Sequence, residues 1–307
     1  MGALVELFGV DGSHHPLSGD GVQNIYLGTS PQGLYDSPVE TSYKSGAFEI
    51  GGKLTKVTRR YRNLMLPIGS YAHSPDEWAE ADSQVRKAFD YELDPWDPDA
   101  TPAIIRITTD RSGPRELGVF MSESPVMEME TDPWDYEHSL LPVMLIAPEP
   151  DWQAPADVSE VTFTGTSGEQ FVTVSNPTPL PMMHTWIIAG RGTVALPDHS
   201  WTGPKYARVP GVDLASGKDH SERMLTIEVL ASDGGGITAE VDRMKIPFRN
   251  VVNSMRPTAA MRGNRLLYKI PPYTPPTQLP VWVTGALPGL KVSCIQPRLW
   301  PRPWGGE

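Results

Sequence analysis

The sequence predicts a mainly β protein with two domains: a first domain that carries one packed α-helix, and a second that is a β-sandwich or jelly roll. Glycine and proline supply 28 and 32 of the 307 residues. This exceeds average usage but stays below the range typical of disorder, so it favours short strands joined by many turns. From Val158 onward, short apolar segments recur at roughly ten-residue spacing with Gly, Pro or Asn between them, which is typical of all-β folds.

The helix is predicted at about residues 75–90, in the segment SPDEWAEADSQVRKAFDYE. Ser74 is the expected N-cap, Pro75 occupies the first helical position, and Glu77 completes a capping box. The apolar residues Trp78, Ala81, Val85 and Phe89 follow at spacings of three and four, so one face should pack on a sheet. The prolines of DPWDPDATP end the helix.

The rest of the first domain is predicted to be β. KLTKVTRRYRNLML reads as one long strand or a strand pair, PAIIRITTD and RELGVFMSE as a hairpin around RSGP, and SLLPVMLIA as a further strand. The acidic, proline-rich segment 148–157 is interpreted as a linker. It divides the chain into an N-terminal domain, residues 1–150, and a C-terminal domain, residues 151–307.

The segment IPPYTPPTQLP, residues 270–280, is a proline-rich rod before the predicted strand VWVTG. Proline has no N–H for a strand ladder and fixes its own φ angle. We therefore expect an ordered crossover in polyproline II form, with Tyr273 as its anchor to the sheet.

Composition limits the function. The net charge is −11, so the chain has no bulk attraction to nucleic acid. Cys294 is the only cysteine, which rules out an intramolecular disulfide and a Cys-rich zinc site. No stretch resembles a signal peptide or reaches the ~18 apolar residues of a membrane span, so we predict no membrane insertion.

Several motifs carry chemistry elsewhere but are better interpreted as loops or strands here. GRGTVA, residues 190–195, has dinucleotide-site spacing, yet Pro197 prevents the helix that such a site needs. Adjacent His14 and His15 would point to opposite faces of a strand. Asp198, His199 and Ser200 lack a nucleophile elbow. We predict no enzyme activity, no catalytic or metal-binding residue and no cofactor.

Two groups remain as candidate interface residues. DPWDPD places Asp94, Asp97 and Asp99 around Trp96; its spacing is not that of an EF-hand, so a solvated loop at an interface is favoured over a calcium site. Trp300 and Trp304 lie beyond the last predicted strand, and exposed tryptophans near a terminus usually dock on the parent domain or on a neighbour. Trp186 and Trp282 are expected to fill the core.

Several segments together resemble the minor tail proteins of siphophages that infect actinobacteria. They are SPQGLYDSPV, EWAEADSQVRKAFDYELDPWDPDATP, VTVSNPTPLPM, LPDHSWTGPKYARVPG, IPPYTPPTQLPVWVTG and QPRLWPRPWGGE. Those proteins are similar in turn to the distal tail (Dit) proteins of long-tailed phages. The resemblance implies two domains. The N-terminal domain is a β domain that contains a helix and forms a ring, and the C-terminal domain is a galectin-like β-sandwich.

The resemblance also implies the partners and the location. We expect a homo-oligomeric hexamer ring in the virion tail tip, assembled in the host bacterial cytoplasm. Its neighbours would be the tail tube protein, the tape measure protein and other tail-tip or fibre proteins. Phage DNA would only pass through the channel, where negative charge keeps a polyanion from sticking.

Three alternatives stay open at this point. The chain could be a paralogous minor tail protein beside the ring. The β-sandwich could be a carbohydrate-binding module that recognises a cell-wall glycan through exposed aromatic residues. A wall-degrading enzyme is the third, because any two carboxylates can meet in a fold.

Overall fold

The structure, a computed structural model, describes residues 2–48, 50–97, 99–127, 131–203, 205–251 and 265–307. The chain forms two compact units: one runs up to Ala154 and also includes Trp300–Glu307, and the other is Pro155–Leu299. The sequence interpretation had placed the last eight residues in the second domain. Within the described ranges, no helix is both long and apolar enough to cross a membrane.

The first unit contains nine strands and two helices among its described residues. In chain order they are β1 Leu4–Phe8, β2 His14–Pro16, β3 Ile25–Leu27, β4 Val39–Lys44, β5 Lys53–Arg59, β6 Arg62–Tyr71, α1 Pro75–Lys87, β7 Ala103–Thr109, β8 Gly113–Met121, α2 Pro133–Tyr136 and β9 His138–Ala147.

Strand β8 connects the two ladders of this unit. Its first part continues the order β2-β1-β7-β8, and its last residues, Phe120 and Met121, pair with β9, which continues through β6 to β3. The predicted hairpin around RSGP is confirmed as β7 and β8, and Gly113 takes the positive φ of 67° that the turn needs.

Helix α1 confirms the helix prediction and its apolar face. Ser74 accepts a hydrogen bond from the backbone N–H of Glu77 (3.3 Å), while the Glu77 carboxylate accepts one from the N–H of His73. The carboxylate thus reaches one residue further back than in a regular capping box. The four predicted face residues, Trp78, Ala81, Val85 and Phe89, are all buried.

The predicted linker is wrong, because the chain enters a strand there. Strand β10, Trp152–Phe163, begins inside segment 148–157. Trp152 is fully buried, and its indole Nε1 donates to the carbonyl of Leu34 at 3.0 Å. A large apolar side chain with a satisfied polar group holds the segment in place despite its prolines.

The regular structure described in the second unit consists of β-strands and two short 3-10 turns. After β10 come β11 Gly168–Asn176, β12 Thr185–Ala189, β13 Gly192–Pro197, β14 Met224–Val229, β15 Gly236–Glu240, β16 Phe248–Asn250, β17 Thr274–Thr284 and β18 Leu290–Trp300, with short 3-10 turns at Leu214–Ser216 and Ala231–Asp233. Neighbouring strands run β16-β15-β12-β18-β10 in one sheet and β11-β17-β13-β14 in the other. Both sheets contribute buried side chains to one hydrophobic core.

The ten-residue rhythm of short apolar segments also predicts strands at KYARVP, residues 205–210, and NRLLYKIP, residues 264–271. Neither is a strand in the structure, and Asn264 lies outside the described residues. In the second segment the carboxylate of Asp198 accepts hydrogen bonds from the N–H groups of Leu267 and Tyr268. A buried side chain therefore satisfies backbone donors that a strand would have given to a neighbour.

The proline-rich rod is a strand from Thr274 onward, which corrects the polyproline II prediction for that part. The part of β17 with the prolines pairs with β11 alone, whereas β13 pairs only with Trp282–Thr284. Proline is tolerated because this half of the strand has a ladder on one side. Tyr273 is 62% exposed at a φ of 55°, so the predicted anchor is also wrong.

Candidate assembly surfaces

The ribbon formed by β4 and β5 is a two-stranded sheet of its own. Every residue of the two strands is exposed except Thr58, which is partly buried. An isolated two-stranded ribbon is marginally stable at best in water. Such an element becomes stable when one of its faces packs against something else.

A bulge makes the ribbon amphipathic. Tyr43 pairs with Leu54, and Ser42 pairs with Lys56, which leaves Thr55 as the extra residue. In a regular strand Leu54 and Val57 would point to opposite faces, because they are three residues apart. The bulge instead places both beside Tyr43, since cross-strand partners share a face.

We call this side the apolar face: it consists of Val39, Thr41, Tyr43, Leu54 and Val57, with Arg59 at its end, opposite Val39. Its four large members are between 51% and 64% exposed. Phe48 and Ile50, in the loop that joins the strands, are fully exposed. Contiguous exposed apolar side chains of this kind mark an interaction surface.

The opposite side of the ribbon is the lysine face, formed by Lys44, Lys53 and Lys56. Among the described residues, no carboxylate lies within ion-pair distance of Lys44 or Lys56. The two arginines at the end of the ribbon are paired, Arg59 with Asp151 (3.2 Å) and Arg60 with Glu40 (2.6 Å).

The acidic loop, residues 90–99, carries the candidate interface residues predicted from DPWDPD. Asp94 and Asp97 shape it: each accepts a hydrogen bond at 2.9 Å from the backbone N–H two residues on, that of Trp96 and that of Asp99. Trp96 is 90% exposed. The structure therefore brings these four residues together on the surface, and their role in an interface stays a prediction.

The carboxylates of the acidic loop have no cationic partner in the part of the chain that the structure describes. They are Asp90, Glu92, Asp94, Asp97 and Asp99. The same described residues contain no group of three or more His, Cys, Asp or Glu side chains arranged to hold a metal ion. The loop thus presents unpaired negative charge interleaved with the exposed side chains of Tyr91, Leu93 and Trp96.

An apolar groove of about 250 Å³ adjoins this loop. Phe89 and Tyr91 form the side next to the loop, and Met121, Leu141 and Val143 contribute from β8 and β9. Tyr91 is half exposed and holds the rim through its hydroxyl, which lies 3.1 Å from Ser124 Oγ. Tyr91 belongs to both the groove and the acidic loop, and we call the two together the groove surface.

Trp300 is not an exposed residue beyond the last strand, which corrects the sequence interpretation. It is the last residue of β18, is 5% exposed, and belongs to the core of the first unit. The guanidinium of Arg115 lies 4.0 Å from the centroid of its ring, a cation–π contact. A buried Trp300 contributes to the first unit's own stability and is not available to a partner.

The residues after Trp300 are held by two buried arginines of the first unit, Arg62 and Arg115. Arg62 donates to the carbonyl of Pro301 at 3.0 Å. Arg115 donates to the carbonyls of Arg302 (2.8 Å) and Gly305, and to the Glu307 carboxylate at 2.7 Å. Trp304 packs edge-on against Tyr35 at 5.1 Å and remains 37% exposed. Of the two terminal tryptophans, only Trp304 retains a surface that a neighbour can contact.

Three buried side chains of types that can act in catalysis, Cys294, Asp198 and His184, lie in packed surroundings. Cys294 is fully buried on β18, and burial raises the pKa of its thiol. Asp198 forms an ion pair with Arg223 and caps backbone N–H groups. His184 contacts the edge of Trp186, and burial lowers its pKa to about 4. None of these arrangements presents a nucleophile with an activating base.

Sequence reasoning missed the apolar face of the ribbon. Residues 53–66 had been interpreted as one strand or a pair, and the structure confirms the pair, β5 and β6. The signal for exposure was present, because Lys, Thr and Arg alternate with Leu54 and Val57. The bulge that brings those two side chains to one face could not be read from the sequence.

The sequence is similar to two minor tail proteins over almost the full length of both chains. The chain is 27% identical to minor tail protein Gp27 of Mycobacterium phage D29, with 99% of this chain and 98% of the relative covered. It is 25% identical to minor tail protein Gp27 of Mycobacterium phage L5 at the same coverage. The resemblance to minor tail proteins of phages that infect actinobacteria is confirmed. No family model matches the chain.

Solved structures share the fold at very low sequence identity. The Dit protein of phage SPP1, described as a paradigm of the hub adsorption apparatus in phages that infect Gram-positive bacteria, superposes with a TM-score of 0.53. It is 9% identical, with 97% of this chain and 99% of that chain covered. A chain of the phage P2 baseplate in its activated conformation with calcium gives a TM-score of 0.50 at 7% identity, with 97% and 98% covered. The mainly β, Dit-like fold is therefore shown.

Proposed function

We propose that this chain is a structural component of a phage tail tip, and that its first unit forms a ring between the tail tube and the host-adsorption apparatus. The observation that carries the proposal is the β4–β5 ribbon, whose apolar face has no partner among the described residues. The full-length similarity to minor tail proteins and the Dit-like fold support the same role.

In this proposal six copies close the ring, the number that the family resemblance implies. A ring closes when each copy contacts the next through two different surfaces and the rotation per copy is correct. The second unit is a galectin-like β-sandwich, supported by two sheets that share one core, and it holds fibres or further tip proteins. The two domains of the proposal are the two compact units, the first of which runs up to Ala154 and includes Trp300–Glu307, and the second of which is Pro155–Leu299.

The partners are the tail tube protein, the tape measure protein and other tail-tip or fibre proteins, and phage DNA only passes through the channel. The net charge of −11 supports a channel that repels a polyanion. The protein acts in the virion after assembly in the host cytoplasm. It is not an enzyme and uses no cofactor, which the names of its relatives support.

The first test measures self-assembly of the purified full-length chain. We expect rings in negative-stain electron microscopy and a hexamer mass in light scattering at high protein concentration. Replacing Tyr43 and Leu54 together with serine should leave monomers, because the apolar face of the ribbon is removed. A strict monomer at every concentration, from a chain that is also missing from purified virions, would refute the proposal.

Val158→Ser is the matched control for this variant. Val158 is 53% exposed, as exposed as Leu54, and lies in the second unit. Rings should form normally in this variant. If it abolished assembly as completely as the ribbon variant does, the effect would be a general response to lost surface hydrophobicity.

A second candidate function, recognition of a cell-wall glycan, is favoured by one face of the second unit. Trp282 and Phe171, on neighbouring strands β17 and β11, are 50% and 53% exposed. Trp282 Nε1 donates to Glu169 Oε1 at 2.6 Å, which fixes the orientation of the indole ring. A fixed aromatic ring beside a carboxylate can stack on a sugar ring and accept hydrogen bonds from its hydroxyls. Trp282 had been expected in the core, and its exposure corrects that prediction.

Glycan binding is tested with purified mycobacterial cell-wall polysaccharide, since the relatives are mycobacteriophage proteins. We expect the full chain to be retained on immobilised polysaccharide and Trp282→Ala to lose about tenfold in affinity, typical of losing one stacked aromatic ring. Trp96→Ala, which removes an exposed tryptophan from the other unit, should bind normally. Absence of binding by the unaltered chain would eliminate this second candidate.

A further inference from the structure

We infer that the ribbon of one copy docks on the groove surface of the next copy in the ring. The inference rests on the proposed function and deepens it, because it identifies the two different surfaces that a closed ring requires. Neither surface is engaged within the chain: the apolar face of the ribbon is more than half exposed, and the groove is open.

The two surfaces complement each other in their apolar side chains. The ribbon offers a tyrosine and aliphatic side chains along one face, with Phe48 and Ile50 at its end. The groove surface offers an apolar recess of about 250 Å³ with Tyr91 at its rim and Trp96 in the adjoining loop. Aromatic side chains that enter a desolvated recess provide most of the binding free energy of an interface.

The two surfaces are also opposite in charge. Residues 39–60 contain five basic and two acidic residues, within a chain whose net charge is −11. Residues 90–99 contain five acidic residues and no basic residue. Lys44 and Lys56 extend from the side of the ribbon opposite the apolar face, and their long, flexible side chains can bend around the narrow ribbon toward the carboxylates of the acidic loop.

Charge also decides between the two ways in which ribbons could associate. Two ribbons packed on each other would form a twofold contact between two segments that each carry a net positive charge, and these repel. A ribbon on a groove surface pairs lysines with carboxylates that have no partner of their own. That contact is head-to-tail, so it produces a ring or an open filament and not a closed dimer.

The test is cross-linking between copies of the full-length chain. Tyr43→Cys places a thiol on the ribbon, and Trp96→Cys places one on the groove surface; the native Cys294 is buried and does not interfere. After mild oxidation, a mixture of the two variants should give a disulfide-linked dimer, and each variant alone should stay monomeric on a non-reducing gel. A chain with both substitutions should give a ladder that ends at the copy number of the ring.

Each outcome decides separately about the contact and about the ring. Rings that form without a cross-link in the mixture would overturn the ribbon–groove contact and leave the proposed function standing. Cross-linked open filaments would keep the contact and refute the closed ring. Tyr43→Cys linking to itself as fast as to Trp96→Cys would replace the head-to-tail contact with a twofold one. No assembly and no cross-link would refute both.

A charge exchange gives an independent measurement. Lys44→Glu with Lys56→Glu, and separately Asp94→Lys with Asp97→Lys, should each weaken association about tenfold. Mixing the two reversed variants should restore most of the affinity, because opposite charges meet again across the contact. Failure of the reversed pair to recover would contradict the assigned surfaces.

The control for the cross-linking experiment is a mixture of the Val158→Cys and Trp96→Cys variants, which should give no dimer.

Discussion

Replacing Arg62 with alanine is expected to destabilise the first unit by about 3–5 kcal/mol. Arg62 is 1% exposed and joins segments that are far apart in sequence. Its guanidinium donates to the carbonyls of Gly33, Leu34, Pro150 and Pro301 and to Ser37 Oγ, at 2.8–3.0 Å. Alanine would remove all five of these hydrogen bonds, and it would leave the Gly33 carbonyl without another donor among the described residues, at the desolvation cost of that acceptor.

The charge of Arg62 makes the loss larger than that of a neutral donor. Burial lowers the pKa of Arg62 to about 10, and the carboxylates of Asp151 and Asp36 oppose that shift, so the guanidinium remains protonated at neutral pH. Hydrogen bonds from a charged donor are roughly twice as strong as neutral ones. Arg62 thus joins three segments of the first unit: residues 33–37, the chain at Pro150 and the C-terminal segment at Pro301.

The measurement is hydrogen–deuterium exchange across a urea series, which reports the two units separately and does not assume two-state unfolding. Peptides from the first unit should lose protection at much lower urea in the variant, while peptides from the second unit should not change. Arg60→Ala is the control: Arg60 is exposed and paired only with Glu40, and a surface ion pair contributes about 0–1 kcal/mol. A variant at Arg62 within about 1 kcal/mol of the unaltered chain would contradict the role assigned to it.

Helix α1 shows which features local sequence determines. Its cap residue, first-turn proline and apolar spacing act over a few residues, so Ser74, Pro75 and the face from Trp78 to Phe89 could be read directly. The strands of the second unit were found for the same reason, because turn residues and short apolar runs are local signals.

The errors arose where distant segments decide the structure. Residues 274–280 of the rod form part of a strand because β11, about a hundred residues earlier, supplies their ladder. Asn176 adds to this by donating from its buried amide to the carbonyls of Leu180 and Pro271. Proline's local preference for polyproline II loses to this pairing, and nothing in the rod itself reports it.

Trp300 and the ribbon show the same limit in the candidate site. Trp300 is buried because Arg115, almost two hundred residues earlier, packs on its ring. The apolar face of the ribbon depends on a single extra residue, Thr55, that shifts the register between β4 and β5. In contrast, the exposure of Trp96 could be predicted, because the aspartates and prolines around it favour a solvated loop.

Acidification is expected to destabilise the second unit through His184, by about 2 kcal/mol at pH 5 and about 3 kcal/mol at pH 4. His184 is 3% exposed, and neither ring nitrogen forms a hydrogen bond with the described residues. Burial lowers its pKa to about 4 from an ordinary value of 6.5. The unfolded chain therefore binds a proton more readily than the folded one. The stability contributed by keeping this imidazole neutral is complete above pH 6.5 and is lost as pH falls through 4.

The variant His184→Phe should remove this slope. A phenyl ring keeps the edge-on contact with Trp186, whose ring centroid lies 5.9 Å from that of His184, and it has no proton to bind. Burial also lowers the pKa of His199, which lies in the second unit and adds to the slope in the same direction. The informative quantity is consequently the difference between variant and unaltered chain in urea midpoint of the second unit, measured at pH 8 and pH 5.

The exposed His73 provides the control. The urea midpoint of the second unit should fall between pH 8 and pH 5 by the same amount in His73→Leu as in the unaltered chain. If His184→Phe lost as much stability on acidification as the unaltered chain, the imidazole would have to reach a proton acceptor or water in the folded state. The buried, unpaired histidine would then be excluded as the source of acid sensitivity. If the slope disappears, His184 sets the lower pH limit of the second unit. The reason is that no hydrogen bond from the described residues offsets the free-energy cost of burying its charged imidazolium.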